Sequence, residues 1–399
     1  MRATGRFNAA LYFFQEHDLA EIKIWFFPFG DAIVWNALSS LYDLFPDVLM
    51  IDVGLVGFGL AARCFHAPVI RAVPELRLAA IVQRNGTEAA KQYPDVRIVR
   101  TLVELLAISQ IRLVVIATPN DSHYPLAYRC LTAGRDVLVD KPFTTTLKKA
   151  VTLVDYAKKQ GRLITVYQNR RYDGDFQAVK QVVANGRLGR IVRFEANYDR
   201  YRPQLKPGAW RERSGPGTGI FFDIGPHLID YALTLFGMPE AVTADIRIER
   251  EGAVADDAFD VALHYRNGVR ADLKSSILAV VPRPHFVVQG TRGTFIKQTV
   301  DPQEQNLRNG KIPAEGAWGA EPEENWGVLT LSENGGLVQQ RVPSVNCDFR
   351  NFYANLRDAL LGKTAPAVTP EWAVDVMRIL EAARQSSGER RTVSVNIAD

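Results

Sequence analysis

Three cysteines, Cys64, Cys130 and Cys347, are all that the chain holds, and their wide separation leaves no C-x-x-C pair and no disulfide framework. The six histidines are equally scattered, so no zinc-ligand spacing is present and no metal is expected. A reducing cytoplasm is the expected compartment. Charge of one sign is never concentrated either. A net charge of +4 is spread over 399 residues without a Lys/Arg block or a basic-aromatic stripe, which excludes the usual signature of a nucleic-acid partner. No apolar run approaches the ~20 residues that span a bilayer, so no membrane partner is expected. Gln15-Glu16-His17-Asp18 breaks the region where a signal peptide needs a continuous apolar core. Repeats and low-complexity segments are missing too. What remains is a soluble globular chain, 47% hydrophobic and long enough for about two domains.

The organising stretch is residues 51–70. Ile51, Val53, Leu55 and Val56 read as a buried strand, followed at once by Gly57-Phe58-Gly59-Leu60-Ala61-Ala62, which fits G-x-G-x-x-A. Gly57 lets the backbone turn sharply, Gly59 leaves room for a pyrophosphate, and Ala62 lets the next helix pack close to the sheet. A glycine-rich turn can also be only a turn, so the rest of the chain must decide. From Met50, strands expected at 76–83, 96–99, 112–117, 136–139 and 163–167 alternate with helices at 101–108, 123–132 and 147–160. This predicts an α/β, doubly wound parallel sheet of Rossmann type over residues 50–168.

After about residue 168 the pattern changes. Strands become alternating and are separated by turn signals, Asn267-Gly268 being read as a type I′ hairpin turn, with Gly290 to Gly293 and Asn334-Gly335-Gly336 as further turns. Two helices are expected at 348–361 and, after Thr369-Pro370, at 371–385. Residues 169–399 therefore read as an α+β domain with a large, mainly antiparallel, open-faced sheet, whose free face suggests a homo-oligomer. Residues 1–49 carry aromatic clusters without periodicity. They read as an extension upstream of a start at Met50, with a structured cap or a partner-binding arm as the competing readings.

Three constellations carry chemistry. At the end of the second strand, Gln83-Arg84-Asn85 stands where NAD-binding folds place a carboxylate, so Arg84 suits a 2′-phosphate and NADP is preferred over NAD, although a solvated surface arginine is the bland alternative. Ala117-Thr118-Pro119-Asn120-Asp121-Ser122-His123 and Val139-Asp140-Lys141-Pro142 follow the fourth and fifth strands, at the sheet edge where ligands bind, and Lys141 there could donate to a substrate oxygen. In the second domain Pro226 is expected to open a helix, placing His227 near its N-terminus, with Asp223 just before it and Asp230 one turn on. Such a histidine, with carboxylates beside it, suits proton exchange near neutral pH.

Taken together, Gly57 to Ala62, Thr118-Pro119-Asn120 with His123, Asp140-Lys141-Pro142 and Asp223 with His227 make the chain resemble the glucose-fructose oxidoreductase and inositol dehydrogenase (Gfo/Idh/MocA) family from Met50 to the C-terminus. Asn169-Arg170-Arg171-Tyr172 and Tyr198-Asp199-Arg200-Tyr201-Arg202-Pro203 resemble its NADP-dependent scyllo-inositol dehydrogenase branch in particular. Asp140 replaces the family's usual glutamate, and the family does not explain the N-terminal extension. The resemblance implies that Gly57, Phe58, Gly59, Ala62, Arg84, Thr118, Pro119, Asn120, His123, Asp140 and Lys141 bind the cofactor. It also implies that Lys141, Asp223 and His227 are catalytic, and that Asn169, Arg170 and Asp230 hold substrate hydroxyls. Lys141 would bond the reacting oxygen, His227 would exchange its proton, and Asp223 would orient the pair. The implied activity is an NADP-preferring dehydrogenase of a sugar or cyclic polyol, a small-molecule substrate. A sugar-sugar oxidoreductase with tightly held cofactor and a non-catalytic nucleotide or sugar sensor are the rivals.

Overall fold

The computed structural model describes residues 50–206, 208–313 and 318–395, so the readings of the first 49 residues lie outside the described residues. The first half is a parallel sheet of β1 (Ile51–Val56), β2 (Leu76–Val82), β3 (Arg97–Val99), β4 (Ile111–Ile116), β5 (Asp136–Val139) and β6 (Ile164–Val166), in the order β3-β2-β1-β4-β5-β6. Every residue of β1 and β5 is buried, as the continuous apolar runs of a sheet covered on both faces require. The covering helices are α1 (Ala67–Arg71), α2 (Glu88–Gln92), α3 (Leu102–Leu106), α4 (His123–Thr132) and α5 (Leu147–Gln160). Strand order reverses between β1 and β4, which opens a crevice at their C-terminal ends.

The second half begins with α6 (Gly174–Ala184) and builds a nine-stranded sheet from β7 (Ile191–Asn197), β8 (Ala241–Arg247), β9 (Ala258–His264), β10 (Arg270–Ser276), β11 (Phe286–Gly290), β12 (Gly293–Lys297), β13 (Gly327–Glu333), β14 (Gly336–Val342) and β15 (Val393–Ser394). The order is β14-β13-β12-β11-β7-β10-β9-β8-β15, antiparallel except for the β7–β10 pair. The helices α7 (Gly219–Phe236), α8 (Gln303–Arg308), α9 (Arg350–Leu360) and α10 (Pro370–Glu389) complete the chain. α7 packs on β7, β9 and β10, and α10 packs on β8. Phe194, Phe259 and Leu273 point to this covered side and are buried. The other side carries ion pairs, Arg193 to Asp272 at 2.7 Å and Arg247 to Asp260 at 2.8 Å among them.

The C-terminal helices return to the first half. Thr165 on β6 donates to the Val368 carbonyl at 2.6 Å, Lys158 on α5 pairs with Glu371 at 2.8 Å, and α10 lies against both α5 and α7. Thr369 caps α10 as expected, accepting from the Trp372 N–H at 3.1 Å.

Two local expectations are corrected. The hairpin at Asn267-Gly268 exists, but only Gly268 has positive φ (+81°), and the Gly268 N–H donates to Tyr265 while the Tyr265 N–H donates to Val269. That is a type I turn with a glycine bulge, not type I′. The type I′ signature belongs to Asn334 (φ 51°) and Gly335 (φ 77°), whose two-residue loop joins β13 to β14. Nor does Pro226 open its helix. α7 starts two turns earlier at Gly219, because Asp256 supplies the cap: its carbonyl accepts from Ile220 N–H at 2.8 Å and its carboxylate from Phe221 N–H at 2.7 Å. His227 therefore sits in the middle of α7. No helix among the described residues is long and apolar enough to cross a membrane.

Candidate active site

The glycine loop closes the end of β1. Gly57 has φ +99°, and a Cβ on it would stand 2.5 Å from the Ala117 carbonyl at the end of β4, so only glycine fits there. A Cβ on Gly59 would meet nothing within 4 Å, which leaves open room of the kind a pyrophosphate needs. Phe58 rests edge-on against Tyr93 at 6.1 Å, and Ala62 is fully buried against the sheet. From Ala62 to His66 the chain makes a π-helical turn, a widening that recurs at functional sites, before α1 continues.

Beyond β2, Arg84 is exposed, and among the described residues its side chain has no hydrogen bond or ion pair. The loop around it is held by Arg100, whose guanidinium donates to the carbonyls of Gln83 at 3.0 Å and Gly86 at 2.8 Å. Glu88 does not stand in for the missing carboxylate at the strand end, since it is folded back to accept from the Gln83 side chain.

The motif after β4 serves several purposes. Thr118 Oγ1 lies 2.6 Å from Ser122 Oγ, Pro119 is exposed, and Asn120 Nδ2 donates to the Gly217 carbonyl at 2.6 Å, tying this loop to the segment before α7. His123 departs from the expected cofactor contact. It is wholly buried, with its ring nitrogens 2.8 Å from the Pro142 carbonyl and 2.9 Å from the Thr118 carbonyl, so it braces the two loops against each other.

Between the halves lies a cleft of about 290 Å³ lined by Asp140, Lys141, Asn169, Arg170, Asp223 and His227, together with Leu60 and Ala61 of the glycine loop. Candidates named from both halves of the chain thus meet in one cavity. The Lys141 ammonium stands 3.0 Å from the Asp223 carboxylate and also donates to the Asp223 carbonyl. Arg211 and Arg200 approach the same carboxylate at 3.3 and 3.7 Å. Burial works against ionisation of Asp223, but Lys141, Arg211 and Arg200 hold its pKa well below the usual carboxylate range. Of the pair that Asp223 was expected to orient, it holds Lys141, while no hydrogen bond among the described residues joins it to His227.

His227 is buried, and its Nδ1 has no hydrogen-bond partner. Burial first, then the charges of Lys141 and Arg170, push its pKa well below that of an ordinary histidine. A helix N-terminus plays no part, since α7 begins two turns away. The imidazole is thus neutral at physiological pH and able to accept a proton. Arg170 is braced by Asp173 at 3.1 Å and by Glu304, so its direction into the cleft is fixed.

Asp230 is the other correction. Its buried carboxylate makes a two-point pair with Arg171, at 2.7 and 2.8 Å, and accepts from the Trp372 indole N–H at 2.7 Å, and it is not among the residues that line the cleft. Residues that sequence reasoning did not single out include Arg211 and Glu304, which surround the cleft from a loop and from α8. Glu304 is held at about 2 against the cost of burial by Arg170, Arg200 and Arg308. The alternating arginines of the Tyr198 to Pro203 run were the available signal for Arg200. Among the described residues no group of His, Cys, Asp and Glu is arranged to hold a metal ion.

Comparison with known proteins agrees with this architecture. Residues 51–168 match the oxidoreductase-family NAD-binding Rossmann fold, and residues 180–395 match the C-terminal alpha/beta domain of the same family. The chain is 40% identical to the uncharacterized oxidoreductase YdgJ of Escherichia coli (strain K12), over 86% of this chain and 98% of that one. It is 36% identical to the scyllo-inositol 2-dehydrogenase (NADP(+)) IolW of Bacillus subtilis (strain 168), over 86% and 95%. Among solved structures, an oxidoreductase from Bacillus cereus superposes with a TM-score of 0.80 at 34% identity, covering 88% of this chain and 100% of that one. With both of its halves matched, and relatives of this identity covered almost end to end, the chain belongs to the Gfo/Idh/MocA family of oxidoreductases.

Proposed function

We propose that the protein is an NADP-preferring dehydrogenase that interconverts a secondary hydroxyl and a ketone on a sugar or cyclic polyol, with residues 50–168 binding the dinucleotide and 169–399 the substrate. The observation that carries this reading is the meeting of Lys141 and a neutral His227 in one cleft beside the open space at Gly59. The residues present fit a dinucleotide: Gly57 and Gly59 leave its phosphates room, and Arg84 is free to meet a 2′-phosphate. When bound, its nicotinamide supplies the hydride-accepting carbon. Lys141 donates a hydrogen bond to the substrate oxygen, and Asp223 fixes the ammonium by its carboxylate and its carbonyl. His227 takes the hydroxyl proton as the ketone forms and returns it in reverse. Asn169 and Arg170 hold neighbouring hydroxyls. The NADP preference of IolW, 36% identical, supports the cofactor reading. The ion-paired open face of the second sheet is the surface we assign to homo-oligomer formation, which light scattering would show as a mass above 44.5 kDa.

The test is nicotinamide absorbance with NADP and NAD against a panel of sugars and polyols. Turnover faster with NADP is the expected result. Tight cofactor binding without turnover of any member would make the protein a sensor.

A further inference from the structure

The cleft carries more positive charge than the reaction proposed above uses. Seven cationic side chains line it against four carboxylates, in a chain whose whole net charge is +4. Most of these cations have partners. Lys141 and Arg211 sit on Asp223, Arg170 on Asp173 and Glu304, and Arg308 on Glu304 at 2.7 Å. Arg202 is different. Its backbone is fixed, the N–H donating to Ile277 at 2.7 Å and the carbonyl accepting from Arg250. Yet among the described residues its guanidinium has no hydrogen bond and no ion pair, although it lines the cleft. Arg202 is exposed at the mouth of the cleft, and partial covering by its neighbours, then the like charges of Arg200 and Arg308, push its pKa down against the pull of Asp223 and Glu304. Its fork of N–H donors, uncommitted to any side chain, matches a carboxylate or phosphate that enters the cleft. Lys206, exposed on the same wall, has no carboxylate partner for its ammonium among the described residues.

We propose that Arg202, supported by Lys206 and Arg308, anchors an anionic group on the substrate, so that this enzyme acts on an acidic sugar or polyol, a sugar acid or a sugar phosphate. The inference rests on the dehydrogenase reading above and narrows its substrate class. The dinucleotide phosphates are met on the other half, at Gly57, Gly59 and Arg84. Arg202 instead lines the same cavity as Lys141 and His227.

The experiment is steady-state kinetics of the full chain at saturating NADP on matched substrates: glucose, glucuronate and glucose 6-phosphate, with myo-inositol as a second neutral. One acidic member should exceed its neutral counterpart in kcat/KM by roughly tenfold or more, and which of the two does so tells carboxylate from phosphate. Arg202→Gln should cut the acidic-to-neutral ratio of kcat/KM by a similar factor through KM, with the Kd of NADPH unchanged. The advantage should also shrink as salt is raised. A raised Kd for NADPH in Arg202→Gln would give this arginine to the cofactor and overturn the proposal. Turnover of neutral members alone would overturn it while leaving the dehydrogenase reading intact, and no turnover of any member would remove both.

Discussion

Lys141 reaches across the cleft to Asp223, its ammonium 3.0 Å from the carboxylate and bonded to the carbonyl of the same residue. This contact joins the end of β5 to the middle of the first two turns of α7, so one ion pair both spans the halves and aims the lysine. With Asp223 held well below its usual pKa, its side of the pair stays ionised across the physiological range. Lys141→Ala and Asp223→Asn should each lower kcat. The double variant should lose less than the product of the single effects, because the two act as a unit. Fully multiplicative losses in a double-mutant cycle would show that the contact is incidental.

His227→Ala should lower kcat by ~10²–10⁴, the range for a lost general acid or base, with cofactor affinity nearly intact. The direction of its pKa shift fixes a pH signature. An ordinary histidine loses its capacity as a base below about pH 6.5, whereas the depressed pKa of His227 keeps it neutral further into acid. The acid limb of the kcat profile for alcohol oxidation should therefore lie below that value. The stability linkage has the matching sign: below the unfolded pKa the unfolded chain takes up a proton that the folded chain refuses, so this site lowers stability as pH falls.

The two loop glycines should separate folding from binding. Gly57→Ala forces a Cβ to within 2.5 Å of the Ala117 carbonyl at φ +99°, so it should destabilise the protein itself. Gly59→Ala meets nothing within 4 Å and should melt like the parent, yet bind NADP(H) at least about tenfold more weakly, as its methyl occupies the phosphate approach. Calorimetry with and without cofactor measures both. Unchanged affinity in Gly59→Ala would remove the loop from the binding site.

Arg84→Ala should weaken NADP(H) far more than NAD(H). A charge-assisted contact is worth ~1.5–3 kcal/mol, so the affinity ratio should move by roughly tenfold or more. Equal losses for the two cofactors in a titration would reassign Arg84 to loop structure.

Asp230→Asn should act on stability and not on catalysis. It leaves the half-buried Arg171 beside a neutral amide, with only the Ala367 carbonyl still accepting from it, a loss of ~1–3 kcal/mol. Below its lowered melting temperature the variant should keep a near-normal KM. A selective rise in KM without a change in melting would restore the residue to substrate binding.

Short-range signals were legible in the sequence. The buried runs of β1, β4 and β5, the glycine turn and the Thr369-Pro370 start of α10 depend on neighbours a few residues apart, and each was found where its pattern stood. What escaped was set at a distance. α7 starts early because Asp256, 35 residues beyond Phe221, caps it, and that moved His227 from a helix end to a helix middle. Asp230 is spoken for by Arg171 and Trp372, 59 and 142 residues away, which no local pattern could announce. Both asparagine-glycine pairs made hairpins, but strand register chose which one took the type I′ turn. Motif spacing found Asp140, Lys141, Asn169, Arg170, Asp223 and His227 on the cleft wall and could not say which carboxylate faced which cation.

The return of α10 to the first half bears on how the cleft can open. The chain crosses between the halves after β6, before α9 and again along α10, which runs on to β15 in the second sheet, and Thr165, bonded to Val368, and Lys158, paired with Glu371, fasten the start of that last crossing to the first half. A domain joined to its neighbour by a single strand can swing as a rigid body about that strand. Here the two halves are joined by three crossings, and a wide swing would have to break both fastenings at once. Substrate entry is then left to small sliding displacements of one half against the other, so the cleft behaves less like a jaw than like a keyhole.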